Sequence, residues 1–330
     1  MSGMYKKQKP LLSICIPTYN RDSILEQCIE SIVNQVGFDE RVEIVISDNC
    51  STDFTKDVVE KFQQKHANVI YHRNIENIVD KNYVMVLSKG KGRYLKLLND
   101  YSIMRPGSLE KMIQTIEKYN SQDYVIHFSN GVVVGNNSII QCDNFDSFVS
   151  NISYYSTWIN NFGIWYDDFH ALTDIDRYVH LQLFQTDILF RSINVLQKRS
   201  IVINNEVFFD ILIKRKTVIG YNFYAVFIEN YFFILGEYIQ VGVLSKTVFN
   251  KEKNKLLFKY VLPWTAAFYI SKTCQIDVPF KQAIGIIRNY VGFITFYFFY
   301  LGLGFYWILY KLNLIDLAKK IRKRLFREYN

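Results

Sequence analysis

Two apolar runs, about thirty residues apart, each end abruptly in polar side chains, and this pattern restricts the fold more than any other feature of the chain. Leu11-Leu-Ser-Ile-Cys-Ile-Pro-Thr-Tyr-Asn20 passes from a buried-strand pattern through a proline to Asn20, Arg21 and Asp22. Val42-Glu-Ile-Val-Ile-Ser-Asp-Asn-Cys-Ser-Thr-Asp53 repeats the pattern and leaves acids and hydroxyls at its end. In open α/β sheets, ligands bind in the crevice outside the carboxyl ends of the strands. Two such strand ends predict a nucleotide site.

Strand patterns at 11–16, 42–47, 68–71 and 94–98 alternate with helical ones. Ser23-Ile-Leu-Glu26 has the spacing of a capping box, Asp53 is placed to cap the next helix, and a third helix runs from about Asp80 to Ser88. Pro106-Gly107-Ser108 opens a fourth, reaching Tyr119, before strand patterns at 124–128 and 132–134 and a turn at Gly135-Asn-Asn-Ser138. Strands alternating with helices of this length predict a mostly parallel sheet. From about Phe145, Trp158, Phe162, Trp165, Tyr166 and Phe169 alternate with amides, acids and His170, as either a packing layer or an acceptor-binding wall. Helical patterns return at 178–191, 221–241 and 245–260. The division expected is 1–215, with a nucleotide-binding half 1–110 and an acceptor half 111–215, followed by a helical region 216–330.

The 330 residues, 49% of them apolar, can bury a substantial core. Five scattered cysteines without a Cys-x-x-Cys pair give no disulfide or zinc framework and fit a reducing compartment. No apolar stretch precedes the first strand, so a cytoplasmic catalytic part is expected. The net charge of +8 is concentrated in the tail, where Lys311, Lys319, Lys320, Arg322, Lys323, Arg324 and Arg327 oppose only Asp316 and Glu328. A basic cluster suits nucleic acid or anionic lipid equally. The preceding segment decides for lipid: Tyr290–Tyr310 holds about twenty uncharged residues, dense in the aromatics that favour a membrane interface. A membrane-associating segment over 290–330 is expected, and no nucleic acid as partner.

Ile16-Pro-Thr-Tyr-Asn-Arg21, Ile46-Ser-Asp-Asn-Cys-Ser-Thr-Asp53, Arg73-Asn-Ile-Glu-Asn-Ile-Val-Asp-Lys-Asn82 and Lys91-Gly-Arg-Tyr-Leu-Lys-Leu-Leu-Asn-Asp100 together resemble family 2 glycosyltransferases of the GT-A fold. The abequosyltransferase-like branch, which builds bacterial surface polysaccharides, is similar. The resemblance implies a Rossmann-like, mostly parallel sheet flanked by helices, with a helical, aromatic-rich C-terminal extension. It also implies a nucleotide-sugar donor and a lipid-linked or polymeric glycan acceptor, on the inner face of the cell membrane. Pro17, Thr18, Tyr19 and Asn20 would line the nucleotide pocket, Asp48 would accept from a base N–H, and Asp80, Asn82 and Asn99 would complete it. As an alternative, Asp48 is the turn-closing residue of Ser-Asp-Asn, and Arg73 either approaches the nucleotide or lies on the surface.

The family carries a short aspartate run that holds Mg2+ or Mn2+. This chain keeps Asp100 but has Tyr101 and Ser102 next. One carboxylate can hold Mg2+ together with substrate phosphates and waters; otherwise Lys96, Arg105 or another cation must do the electrostatic work. For the base that takes the acceptor proton in an inverting transfer, Thr173-Asp-Ile-Asp-Arg-Tyr-Val-His-Leu181 offers Asp174, Asp176 and His180. Tyr178-Val-His-Leu181 resembles an aromatic-x-His-Leu pattern of the branch, which favours His180, with Asp176 next. The competing reading is a catalytically inactive nucleotide-sugar-binding or scaffold protein on the same fold, motivated by the broken aspartate run.

Overall fold

The computed structural model describes residues 9–120, 123–133, 138–204, 206–212 and 218–314. Its first part alternates β1 (Leu12–Thr18), α1 (Asp22–Val33), β2 (Val42–Asp48), α2 (Thr55–Lys65), β3 (Val69–Arg73), α3 (Lys81–Lys89) and β4 (Tyr94–Leu97). There follow β5 (Ser102–Met104), α4 (Ser108–Lys118), β6 (Tyr124–Phe128), β7 (Ile139–Cys142), α5 (Phe145–Ile152), β8 (Gly163–Trp165), α6 (Tyr166–Ala171), α7 (Phe184–Asn194), β9 (Arg199–Ile203) and β10 (Phe209–Ile211). The C-terminal part comprises β11 (Val218–Ile219), α8 (Tyr231–Gln240), α9 (Lys246–Leu256), α10 (Leu262–Tyr269), β12 (Gln275–Ile276), α11 (Phe280–Tyr290) and α12 (Phe293–Lys311).

The central sheet has the order β3-β2-β1-β4-β8, parallel except for the antiparallel edge strand β8. A second sheet runs β6-β9-β7, β10 pairs antiparallel with β5, and β11 pairs parallel with β12. Alternate residues of β1 face opposite sides, as the period of a strand requires. Leu12, Ile14 and Ile16 join a core with α1 and α4, while Cys15 joins the core that holds α3 and α7. Both faces are therefore covered, as expected of parallel strands joined by helices. The helices beyond residue 216 share that second core: Phe223, Leu235, Leu256 and Phe299 pack in one cluster with Leu95 and Leu97 of β4. Residues on both sides of the division expected at 215/216 thus share one apolar cluster.

Several local expectations are corrected. Ser23 lies inside the first turn of α1 and forms no capping box. That helix start is held instead by Asp53, whose Oδ2 accepts from Asp22 N at 3.1 Å while its Oδ1 accepts from Thr55 N and Oγ1 of α2. One carboxylate thus serves two helix N-termini, where orphan N–H groups favour an acid. No strand forms at 132–133, because Asn130 and Gly131 adopt positive φ (53° and 74°) and Val132 N donates to Ser129 O. The turn expected at 135–138 lies largely outside the described residues, as does the basic tail from residue 315. The helix expected from Tyr178 begins only at Phe184, since Gln182 takes φ 60° and ends a short helical turn over 179–181. In the aromatic stretch Phe162, Trp165 and Phe169 are packing residues, with Trp165 Nε1 donating to Tyr124 O, while Trp158 and Tyr166 are half-buried.

The helix α12 is long and apolar enough to cross a membrane by length and composition, and only 11% of its most apolar window is buried. It rests on the rest of the chain through Phe299 and Leu303. Gly302 permits that approach, as a Cβ there would stand 2.7 Å from Leu262 of α10.

Candidate donor site

The register of β1 against β2 sets Thr18 beside Asp48 and Pro17 beside Ser47, so the two polar strand ends meet at the carboxyl edge of the sheet. Asp48 is fully buried. Its Oδ1 accepts from Ser51 N at 2.8 Å and its Oδ2 from Tyr71 Oη at 2.6 Å. Burial, followed by the bond to this carboxylate, raises the pKa of the Tyr71 phenol. Asp48 thus closes the turn after β2 and holds a phenol from β3, leaving only spare lone pairs for a ligand. Beyond it, Asn20 takes φ 50°, its N–H donates to Ser51 Oγ, and its Oδ1 accepts from Thr52 N at 2.7 Å. The loops after β1 and β2 are thereby joined, with Tyr19 exposed beside them.

The loop between β3 and α3 is laid against this edge by amides. Asn49 Oδ1 accepts from Asn74 Nδ2 and Ile78 N, while its Nδ2 donates to Asn77 Oδ1 and Val79 O. Asn82, in the first turn of α3, accepts from Ser47 Oγ and Asn74 Nδ2 and returns a bond to Ser47 O. It is buried, so it braces the loop. Arg73 donates to Ser51 O from the surface. Asn49, Asn74 and Tyr71 are organising residues that the strand-end pattern did not single out, because the end of β2 and the loop after β3 meet only in the fold.

Asp100 follows β4 and is buried. Thr18 Oγ1 donates to its Oδ2 at 2.9 Å, and Arg21 Nη1 to its Oδ1 at 2.8 Å. Burial raises its pKa above the ordinary carboxylate value, a shift that Arg21 and then Thr18 oppose. The Arg21 guanidinium lies over the Tyr101 ring, 5.4 Å from its centroid. Ser102 is turned into β5, fully buried, and accepts from Asn160 Nδ2. Asn160 Oδ1 in turn accepts from Asn99 N. The two cations proposed from sequence are engaged elsewhere: Lys96 is buried and donates to the carbonyls of Leu97, Asn160 and Phe162, and Arg105 pairs with Asp210. Burial lowers the Lys96 pKa to about 7, while its three carbonyl partners match the three N–H bonds of the charged ammonium.

The segment proposed to hold the base is brought to this edge. Gln182 Nε2 donates to Asp80 Oδ2, and Phe184 stacks on Tyr83 of α3 at 5.7 Å. His180 and Asp176 are both exposed. Beneath them, Arg177 and Arg191 grip the buried Asp187, and Tyr178 Oη donates to Glu237 of α8. Gln182 and Asp187 escaped the sequence reading, for a glutamine and a mid-helix aspartate carry no local signal.

Residues 13–170 match the family described as Glycosyl transferase family 2. That match runs from β1 into α6 and takes in the strand ends of the donor edge. Over 101 residues it is 38% identical to abequosyltransferase RfbV of Salmonella typhimurium, covering 30% of each chain. It is also 34% identical over 107 residues to the GalNAc(5)-diNAcBac-PP-undecaprenol beta-1,3-glucosyltransferase of Campylobacter jejuni, covering 32% of this chain and 34% of that one. These matches span about a third of those relatives' lengths. Staphylococcus aureus TarS 1–349 in complex with UDP-GlcNAc superposes with a TM-score of 0.56 at 14% identity, over 92% of this chain and 91% of that one. The Pyrobaculum calidifontis mannosyltransferase PcManGT, in complex with GDP-Man and Mn2+, gives 0.51 at 13%, over 98% and 89%. The fold is that of GT-A glycosyltransferases.

The resemblance read from the sequence makes a divalent ion, Mg2+ or Mn2+, at Asp100 an expectation. The donor set does not fit one as it stands. Asp100 has each oxygen engaged, Tyr101 offers a ring, and Ser102 faces the sheet interior. No group of three or more His, Cys, Asp or Glu suited to a metal occurs among the described residues.

Proposed function

We propose that this chain transfers a sugar from a nucleotide-sugar donor to a lipid-linked or polymeric glycan during assembly of a bacterial surface polysaccharide such as capsule or O-antigen. The observation that carries this reading is the meeting of Thr18, Asp48 and the Arg21–Asp100 pair at one sheet edge, within residues matched to the family. Pro17, Thr18, Tyr19, Asn20, Asp48, Asp80, Asn82 and Asn99 are assigned to the nucleotide. The transfer is a single inverting displacement. The acceptor oxygen bonds the anomeric carbon as the bond from that carbon to the phosphate oxygen breaks. Its electron pair leaves on the nucleoside diphosphate, and the acceptor proton passes to His180, with Asp176 as the other candidate. The exposure of both side chains and the Gln182–Asp80 bond support an acceptor approaching from that side.

Membrane association through α12, at the inner face of the cell membrane, belongs to the same proposal. Phe293, Ile294, Tyr297, Phe298, Leu301 and Phe305 are exposed on that helix, and such aromatic-rich surfaces suit the lipid interface. The Arg21–Asp100 pair also favours the second reading, a catalytically inactive nucleotide-sugar-binding protein, because it occupies the expected metal carboxylate. A screen of nucleotide sugars for thermal stabilisation, followed by transfer of labelled sugar to isolated lipid-linked acceptors, tests both. A donor that binds the native state raises apparent stability. Stabilisation with turnover supports the transferase, stabilisation without turnover supports the binding protein, and neither rejects the site.

A further inference from the structure

A departing nucleoside diphosphate gains negative charge on its leaving oxygen, and a preorganised cation beside it lowers the barrier. The position held by an acid run in the family is filled here by a different set of groups. Arg21 leaves the end of β1, reaches Asp100 with Nη1 and lies over the Tyr101 ring, while its side chain remains 43% exposed. Thr18 holds the other oxygen of Asp100. Of the five N–H bonds of the guanidinium fork, the bond from Nη1 to Asp100 is the one made to a described partner, and Asp100 is itself held by Thr18, whose strand neighbour is Asp48.

Resting on the donor-site reading above, we propose that Arg21 is the cation that receives the donor's diphosphate in place of a divalent ion, with Asp100, Thr18 and Tyr101 holding its guanidinium in position. Each element suits that role. A planar fork can bind two phosphate oxygens at once, which an ammonium cannot. The buried carboxylate fixes one edge of the fork and leaves the other for the ligand. The aromatic face beneath restricts its tilt, which reduces the entropy lost when the ligand binds. Lys96 and Arg105 cannot substitute, since the first is sealed under the strand end and the second is paired with Asp210. The electron pair released from the anomeric carbon then comes to rest on an oxygen facing Arg21, and no metal enters the balance.

The test is calorimetry on the full chain with UDP, GDP, CDP and dTDP and their parent nucleosides, in chelator and in excess Mn2+. The native protein is expected to bind one of these diphosphates in chelator, with Mn2+ changing the affinity less than about threefold. Arg21→Gln, which keeps a hydrogen bond to Asp100, should weaken that diphosphate by about 10–100-fold and the nucleoside by less than about threefold, as for loss of a charge-assisted bond to phosphate alone. Arg21→Lys should fall between, because charge is retained and the fork is lost; it also serves if the glutamine variant does not melt cooperatively. Equal loss of nucleoside and diphosphate in the variants would make Arg21 a structural residue and overturn the inference. So would tightening of the native complex by Mn2+ beyond about tenfold. If none of the four nucleotides binds the native protein under either condition, the donor-site reading itself fails first.

Discussion

At the scale of single residues, the site is built from side chains that each serve two partners. Asp53 ties two helix starts, Asp48 a turn and a phenol, and Asp100 a threonine and an arginine. Such residues give compound phenotypes when changed, whereas exposed ones give clean tests. His180 is exposed and its ring meets that of Tyr178 edge-on, so His180→Ala should leave the melting temperature nearly unchanged. As the acceptor's base it should cost about 10²–10⁴-fold in turnover, with donor affinity retained. A near-normal rate in this variant beside a collapsed rate in Asp176→Asn would move the role to Asp176. Ser102→Asp, in contrast, would place a carboxylate in a fully buried position beside Asn160. It is expected to destabilise the fold without creating a metal ligand, as read by chemical denaturation with and without Mn2+.

One buried residue predicts a pH dependence. His127 on β6 has both ring nitrogens buried without a hydrogen-bond partner among the described residues, and burial, aided by the Lys96 charge, lowers its pKa to about 3. Above about pH 6.5 the imidazole is neutral in the folded and unfolded chain alike, and its contribution to stability is fully present. As pH falls toward 3, the unfolded chain takes up a proton that the folded chain refuses. Stability is then lost at up to about 1.4 kcal/mol per pH unit. His127→Leu should flatten the denaturation midpoint across that range, and an unchanged profile would remove His127 as its source.

At the scale of elements, the turn carrying His180 is held by charges below it rather than by a helix of its own. Asp187 in α7 is fully buried between Arg177, which precedes the turn, and Arg191 one helical turn later. Removing one member of such a buried arrangement strands the others, at a cost of about 3–5 kcal/mol. Asp187→Ala should therefore lower the stability measured by urea denaturation by that amount. The loss should be larger than for Glu237→Ala, whose partner Arg177 would keep Asp187. Comparable losses would mean that α8 rather than α7 anchors the turn.

At the scale of the whole molecule, α12 belongs to the fold on one stripe and to another environment on the rest. Phe299 and Leu303 sit in the core, so deleting the helix would expose core surface as well as remove the apolar face. Phe298→Ser, Leu301→Ser and Phe305→Ser together change only exposed positions. Stability should hold to within roughly 0.5 kcal/mol per site, the usual range for surface changes. The protein should then no longer float with anionic vesicles. Continued flotation of the triple variant would place membrane contact outside this helix.

How much of this was legible in the sequence follows from the range of the interactions. The parallel βαβ order could be read because apolar period, proline and glycine act within a few residues, and β1, β2, α3 and α4 lie where that pattern put them. The family resemblance was legible for the same reason, since Ile16–Arg21 and Ile46–Asp53 each sit in one strand and the loop after it. The partners of those loops were not. Arg21 meets Asp100 across 79 residues, Gln182 meets Asp80 across 102, and Ser153 bonds Glu252 across 99. A sequence shows that Asp100 has lost its acidic neighbours. Only folding shows that an arginine from another strand end has taken its free oxygen, because a carboxylate's partner is chosen by distance in space, and distance in space is set by the whole chain.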